Sequence, residues 1–131
     1  MTNKEIVQNL YSAFSTGNIP AVLAAFSPAI VWTEAAGFPY GGVYTGADAI
    51  LQNVFMKLAT EWDGFTVSSD QLVAEGDTVV NLGEYTGTYK ATGGKLRVPV
   101  AHVWKLKDGK VVQFHQHTDT KLVAEQIGIG R

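Results

Sequence analysis

The chain has 131 residues, 46% hydrophobic and 17% charged, with a formal net charge of −2. That length suits one domain over residues 1–131 with a sizeable core, and the composition excludes a disordered chain. The weak net charge gives no footprint for nucleic acid or an anionic membrane surface, and the lack of cysteine excludes disulfides, thiolate catalysis and thiolate-held zinc.

The start, MTNKEIVQNLYSAF, places charges and amides where a signal peptide would be apolar. No run approaches the roughly 20 apolar residues that span a bilayer, so a soluble cytoplasmic protein is expected. Ile6, Val7, Leu10, Tyr11 and Phe14 recur at helical spacing, which predicts a helix over about 3–16. Thr2 or Asn3 caps it, and Gly17 closes it. Pro20 suits the first turn of a second short helix that buries Val22, Leu23 and Phe26 and stops at Pro28. Ile30–Glu34 reads as a strand, followed by an aromatic and glycine-rich loop, AAGFPYGGVYTG. Thr45 and Asp48 have capping-box spacing and open a third helix to about Trp62. From Phe65 to Thr120 the pattern alternates, predicting four strands divided at Gly76-Asp77, Gly93-Gly94 and Asp108-Gly109. Leu122–Ile127 is a tail helix or an extended end. Three helices with one early strand, then a meander, predict an α+β fold with helices on one face of a curved antiparallel sheet. The concave face is a natural cavity.

All three histidines lie in HVWKLKDGKVVQFHQHTDT. His102 shares an apolar strand face with Leu96, Val98, Val100, Trp104 and Leu106. The register of the next strand depends on the turn. A three-residue loop with a left-handed Gly109 bulge pairs Leu106 with Lys110 and sets His102 opposite Phe114. Val112, Phe114, Gln116 and Thr118 then point inward, and His115, His117 and Asp119 point out. A two-residue Asp-Gly turn flips every assignment. The bulged form is preferred because it sets Val112 and Phe114 against the apolar row. His115-x-His117 has strand-face metal-ligand spacing but no third ligand, so no metal is expected. Glu34 shares a strand face with Ile30 and Trp32, and a carboxyl beside Trp32 in a cavity has a raised pKa, as a general acid or base near neutral pH requires.

The segments YSAFSTGNIPAVLAAFSPAIVWTE, GVYTGADAI, GEYTGTYKATGGKLRVPVAHVWKLKDGKV and FHQHTDT together resemble the SnoaL-like, ketosteroid-isomerase-like members of the nuclear transport factor 2-like superfamily. The resemblance covers nearly the whole chain. It implies a cone-shaped, cystatin-like α+β barrel, with a curved sheet wrapped around three N-terminal helices. It further implies that Glu34 stands where steroid isomerases carry the proton-moving aspartate, and His102 where they carry the acid of the oxyanion hole. Tyr11 lies near the helix-one oxyanion tyrosine, with its spacing to Gly17 off by one. Gln116 stands where cyclases and epoxide hydrolases carry an acid, and a glutamine is no base. Asp119 belongs to a common family ending. Trp32, Phe38, Tyr40, Phe55, Trp104 and Phe114 are expected to line the cavity, with loop 37–46 over its mouth.

Two functional readings stand. One is an isomerase or cyclase that abstracts a proton beside the carbonyl of an apolar ligand, with no cofactor. The other is a non-catalytic ligand-binding or interaction domain. Epoxide hydrolysis ranks lower, because it needs an arginine between acids and the chain has only Arg97 and Arg131. A homodimer through the outer sheet face is expected.

Overall fold

The computed structural model describes residues 1–129. Helix α1 (Asn3–Ser15) is closed at its start by a capping box: Glu5 N donates to Thr2 Oγ1 and Thr2 N donates to Glu5 Oε1. Gly17, at φ 71°, takes the left-handed turn after it. Helix α2 (Ile19–Ala24) starts on Asn18 and ends earlier than the sequence suggested. Phe26 therefore opens strand β1 (Phe26–Glu34), where its ring meets Trp32 and Phe55. Pro28 sits inside β1 rather than ending a helix, and the pairing register shifts between Phe26 and Val31, where its missing N–H is harmless.

The glycine-rich loop contains a further strand, β2 (Gly42–Thr45), antiparallel to β1. Its Gly, Val, Tyr and Thr residues alternate too briefly to stand out from their surroundings. The third helix starts on Gly46 with no side-chain cap, so the expected Thr45–Asp48 box does not form. It runs as α3 (Ala47–Ile50), a π-helical stretch (Leu51–Phe55) and α4 (Met56–Glu61). The wider π turn brings both Val54 and Phe55 to the buried side.

Trp62 begins β3 (Trp62–Val67) instead of ending the helix. The single strand expected before Gly76 is divided into β3 and β4 (Gln71–Glu75). Between them Ser68 crosses over Gly83, with Ser68 N donating to Glu84 O and Asp70 N donating to Leu82 O. A Cβ on Gly83 would lie 2.0 Å from Ser68 O, so only glycine allows this crossing. Strands β5 (Thr78–Tyr89), β6 (Gly94–Lys107) and β7 (Lys110–Thr118) follow as the long meander. The tail is helix α5 (Thr120–Ile127), capped by Asp119 Oδ1 on Leu122 N.

The strand order is β2-β1-β7-β6-β5-β3, with β4 also on β5 and β1 parallel to β7. The sheet is thus mostly antiparallel, and register shifts in β1, β3 and β7 help bend it around the helices. The α+β class expected from sequence is observed. Among the described residues no helix is long and apolar enough to cross a membrane.

The β6–β7 turn has two residues, Asp108 and Gly109, at φ 51° and 76°, and pairs Lys107 with Lys110. The three-residue loop expected from sequence is therefore replaced by the tighter turn. Val112 is instead an extra residue within β7, because Leu106 pairs with Val111 and Lys105 with Gln113. This bulge reverses the facing a second time. Val111 is buried and Val112 only half-buried, while Phe114 and Gln116 still point inward. His102 lies opposite Gln116, and Trp104 opposite Phe114.

Candidate functional site

A cavity of about 530 Å³ lies between the concave sheet face and the helices. Its walls are aromatic: Phe14, Trp32, Phe55, Trp62, Phe65, Trp104 and Phe114 contribute, with Tyr11 and Tyr85 beside them. Trp32 stacks on Phe114 with ring centres 3.7 Å apart, and Trp104 and Phe55 meet Trp32 edge-on. Exposed lining residues Ser15, Gly17, Ala59, Gly64 and Thr66 mark the mouth, between the α1–α2 junction and the α4–β3 junction. Loop 37–46 lies elsewhere and does not cover it.

Glu34, at the end of β1, is 4% exposed and is the one charged side chain among the described lining residues. Strand alternation puts it on the inner face with Ile30 and Trp32. Its hydrogen bond comes from Trp32 Nε1, 3.3 Å from Oε2. Burial pushes its pKa up to about 8, and the single indole donor offsets little of that.

His102 is 4% exposed, and both its nitrogens are engaged. Tyr11 Oη lies 2.6 Å from Nδ1, and Tyr85 Oη lies 2.6 Å from Nε2. Trp104 Nε1 donates to Tyr11 Oη at 2.9 Å, and Gln116 Nε2 donates to Tyr85 Oη at 2.8 Å. Gln116 Oε1 accepts from Ala35 N at 2.9 Å, which fixes the amide orientation and ties the chain to the residue beside Glu34. Burial pushes the imidazole pKa down to about 3, so the ring is neutral. Burial likewise raises the pKa of Tyr11 and Tyr85, which keep their protons.

The structure thus brings Glu34, Tyr11, His102 and Gln116 into one neighbourhood. Trp32, Phe55, Trp104 and Phe114 line it as expected. Phe38 and Tyr40 do not. They belong to a second cluster with Trp62, Tyr85, Leu96 and Val98, where Phe38 packs on the Tyr85 ring. Tyr40 donates to Glu61 and accepts from Trp62 Nε1, which holds the loop to the end of α4. Aromatics in an irregular loop follow no period, so sequence gave no direction for them. Asp119 is exposed and serves as the α5 cap. His115 and His117 stack on the outer face with ring centres 4.4 Å apart. Among the described residues no group of three or more metal-binding side chains forms. Arg97 pairs with Glu84 on the outside, and Arg131 lies outside the described residues. Tyr85 was not legible as a site residue. Its inner-face row, Val79, Asn81, Gly83 and Tyr85, is broken by Asn and Gly, which hides the alternation.

The model of the SnoaL-like domain family matches residues 7–114. A nuclear transport factor 2-like (NTF2-like) protein from Burkholderia thailandensis E264 is 48% identical, with 96% of this chain and 97% of that chain covered and a TM-score of 0.93. An NTF2-like protein of unknown function from Burkholderia pseudomallei K96243 is 28% identical, with 97% and 98% covered and a TM-score of 0.87. TerC, co-crystallised with polyporic acid, matches at 23% identity, with 96% and 98% covered and a TM-score of 0.85, a likeness of fold. No curated protein matches at a significant level.

Proposed function

The chain belongs to the SnoaL-like family, and from that premise we propose a small-molecule enzyme, an isomerase or cyclase, that removes a proton beside the carbonyl of an apolar substrate. The observation that carries this reading is Glu34, a carboxyl buried against Trp32 in an aromatic cavity with a pKa of about 8. Such a group is a far stronger base than a solvated carboxylate, and it titrates near neutral pH. Glu34 takes the proton from the carbon next to the carbonyl. The released electron pair moves onto the carbonyl oxygen, which accepts a hydrogen bond from the tyrosine–histidine chain. The resulting enolate either takes the proton back at another carbon, which is isomerisation, or attacks a second carbonyl carbon of the same molecule, whose π pair moves onto its oxygen and takes the proton from Glu34, which is cyclisation. With both nitrogens engaged, His102 acts through the two tyrosines. The aromatic walls, with no lysine or arginine among the described lining residues, suit a neutral polycyclic ligand. Co-crystallisation of TerC, a similar fold, with polyporic acid fits a small organic ligand in such a cavity.

A second reading is a binder without chemistry. Gln116 favours it, because the position holds a structural amide bonded to Ala35 and Tyr85 rather than an acid. The two readings separate on a Glu34→Gln variant. For an enzyme, exchange of α-protons of cyclic ketones in D2O, followed by NMR, falls by at least about 100-fold. For the unmodified protein, the pH profile of kcat/KM rises tenfold per unit up to about pH 8 and then levels. Equal exchange by both proteins, or none by either over a panel of apolar ketones, removes the catalytic reading.

The partner proposed is a second copy of the chain. In register across the outer face run Val43, Thr33, His115, Val103, Val80 and Val73, a row crossing six strands in which four of the six side chains are valine. Val43 and Val73 are 65% and 49% exposed. A continuous row of this kind is a natural surface for a partner sheet.

A further inference from the structure

Tyr11 and Tyr85 flank the His102 imidazole in matching ways. Their hydroxyl oxygens lie 2.6 Å from Nδ1 and 2.6 Å from Nε2, and the residues are 7% and 5% exposed. Each oxygen also receives one fixed donor, Trp104 Nε1 at Tyr11 and Gln116 Nε2 at Tyr85. Asn81, paired in register with His102, turns its amide to the β3–β4 crossing instead: Nδ2 donates to Ser68 O and Oδ1 accepts from Ser69 Oγ. Among the described residues the imidazole is the one protein acceptor bonded to either hydroxyl.

A neutral imidazole has one N–H and one bare nitrogen, and each phenol has one O–H. One tyrosine therefore gives its proton to the bare nitrogen, and its second lone pair stays open. The other accepts the imidazole N–H, which with the fixed donor fills both its lone pairs. Its own proton is left without a protein acceptor. Both side chains line the cavity, so the spare proton and the open lone pair are offered there. The pattern is equally complete with the two tyrosines exchanged. Exchange needs one proton to enter at one hydroxyl, cross the imidazole and leave at the other, with solvent or ligand closing the circuit.

We propose that the cavity presents one hydrogen-bond donor and one acceptor at a time, shared between Tyr11 and Tyr85 and exchanged by the tautomer of His102. The ligand class this selects is an apolar ring system with one carbonyl and one hydroxyl. The carbonyl oxygen takes the spare proton, and the hydroxyl donates to the open lone pair. A diketone fits less well, because its second oxygen finds no donor and is desolvated without a partner. The orientation of the ligand sets the tautomer, so either tyrosine can serve the carbonyl. The proposal rests on the cavity taking an apolar ligand, which both functional readings share, and not on Glu34 as a base.

The test reads binding and tautomer and needs no turnover. Tetralin, 1-tetralone and 5-, 6- and 7-hydroxy-1-tetralone are titrated at pH 7, followed by tryptophan fluorescence. The unmodified protein should bind 1-tetralone roughly fivefold tighter than tetralin, and at least one hydroxytetralone tighter again by a similar factor. Tyr11→Phe and Tyr85→Phe should each keep the tetralone preference, because the remaining hydroxyl takes the donor role. Each should lose the gain from the ligand hydroxyl. The double variant should lose both and still bind tetralin. In 15N-histidine NMR, Tyr11→Phe should hold His102 as the Nε2–H form and Tyr85→Phe as the Nδ1–H form, because the imidazole N–H turns to the hydroxyl that remains. A tetralone preference abolished by one single variant and kept by the other, the same tautomer in both, a doubly protonated His102, or no gain from any ligand hydroxyl overturns the proposal. Binding of tetralin with no preference for 1-tetralone overturns it alone, whereas no binding of any of the five compounds removes the ligand site and both functional readings with it. Glu34→Gln should keep the tetralone preference, which separates failure of the base from failure of the tyrosine pair.

Discussion

A carboxyl with one hydrogen-bond donor and an imidazole between two phenols both lie in an apolar cavity, and burial drives their pKa values in opposite senses of charge. Glu34 rises from an ordinary value near 4.5 to about 8. Between these values folding takes up a proton, so stability falls as pH rises, by up to about 1.4 kcal/mol per unit. His102 falls from 6.5 to about 3, so folding excludes a proton in that interval and stability falls as pH drops. The slopes oppose each other between about 4.5 and 6.5, and only the Glu34 slope acts from 6.5 to 8. Urea denaturation at pH 6.5 and 8.5 should therefore show the unmodified protein losing on the order of 2 kcal/mol relative to Glu34→Gln. Parallel curves would mean that Glu34 is not buried as an ionisable group. Both residues are legible in sequence because each interrupts an apolar period-2 row. The hydrogen bonds that give His102 its role come from α1 and β5, and no spacing within β6 announces them.

At the scale of elements, two backbone devices set which side chains face the cavity. The two-residue Asp108-Gly109 turn alone would send His115 and His117 inward, and the extra residue Val112 turns them back out. Deleting Val112 removes the bulge and leaves a regular ladder, with Leu106 opposite Val111, Lys105 opposite Gln113 and Trp104 still opposite Phe114, so Phe114 and Gln116 should keep facing the cavity and His115 and His117 the outside. The expected outcome is a folded variant with the aromatic packing of the cavity kept, read by near-ultraviolet circular dichroism; loss of that signal would contradict the register argument. Gly83 is the second device. A Gly83→Ala methyl would collide with the Ser68 backbone and should cost roughly 3 kcal/mol in thermal or urea unfolding. The turn signal Asp-Gly was readable, but the bulge was not. One apolar residue beside another, Val111-Val112, looks the same in either register, and only packing against Leu106 and Trp104 distinguishes them.

For the whole molecule, the sheet separates two chemistries. Its concave face holds the cavity, and its outer face carries the cross-strand row from Val43 to Val73. If that row joins two copies, sedimentation at micromolar concentration gives a dimer, and Val103→Lys gives a monomer with the cavity unchanged. A monomeric unmodified protein would remove the dimer proposal.

The residue order by itself marked neither β2 nor the division of β3 from β4, but it determined the α+β class, the N-terminal helices followed by the long meander, and the candidacy of Glu34 and His102. Those follow from short-range periods, caps and turns, which local backbone geometry imposes on any chain. Only the tertiary structure decided that Phe38 and Tyr40 leave the cavity, that Tyr85 enters it, and that His102 is enclosed by two hydroxyls. Each of these depends on contacts between residues distant in the chain, such as Tyr11 with His102 and Ala35 with Gln116. A hydrogen bond across 91 or 81 positions is set by the curvature of the sheet and by the packing of α1 against it, which no local pattern encodes.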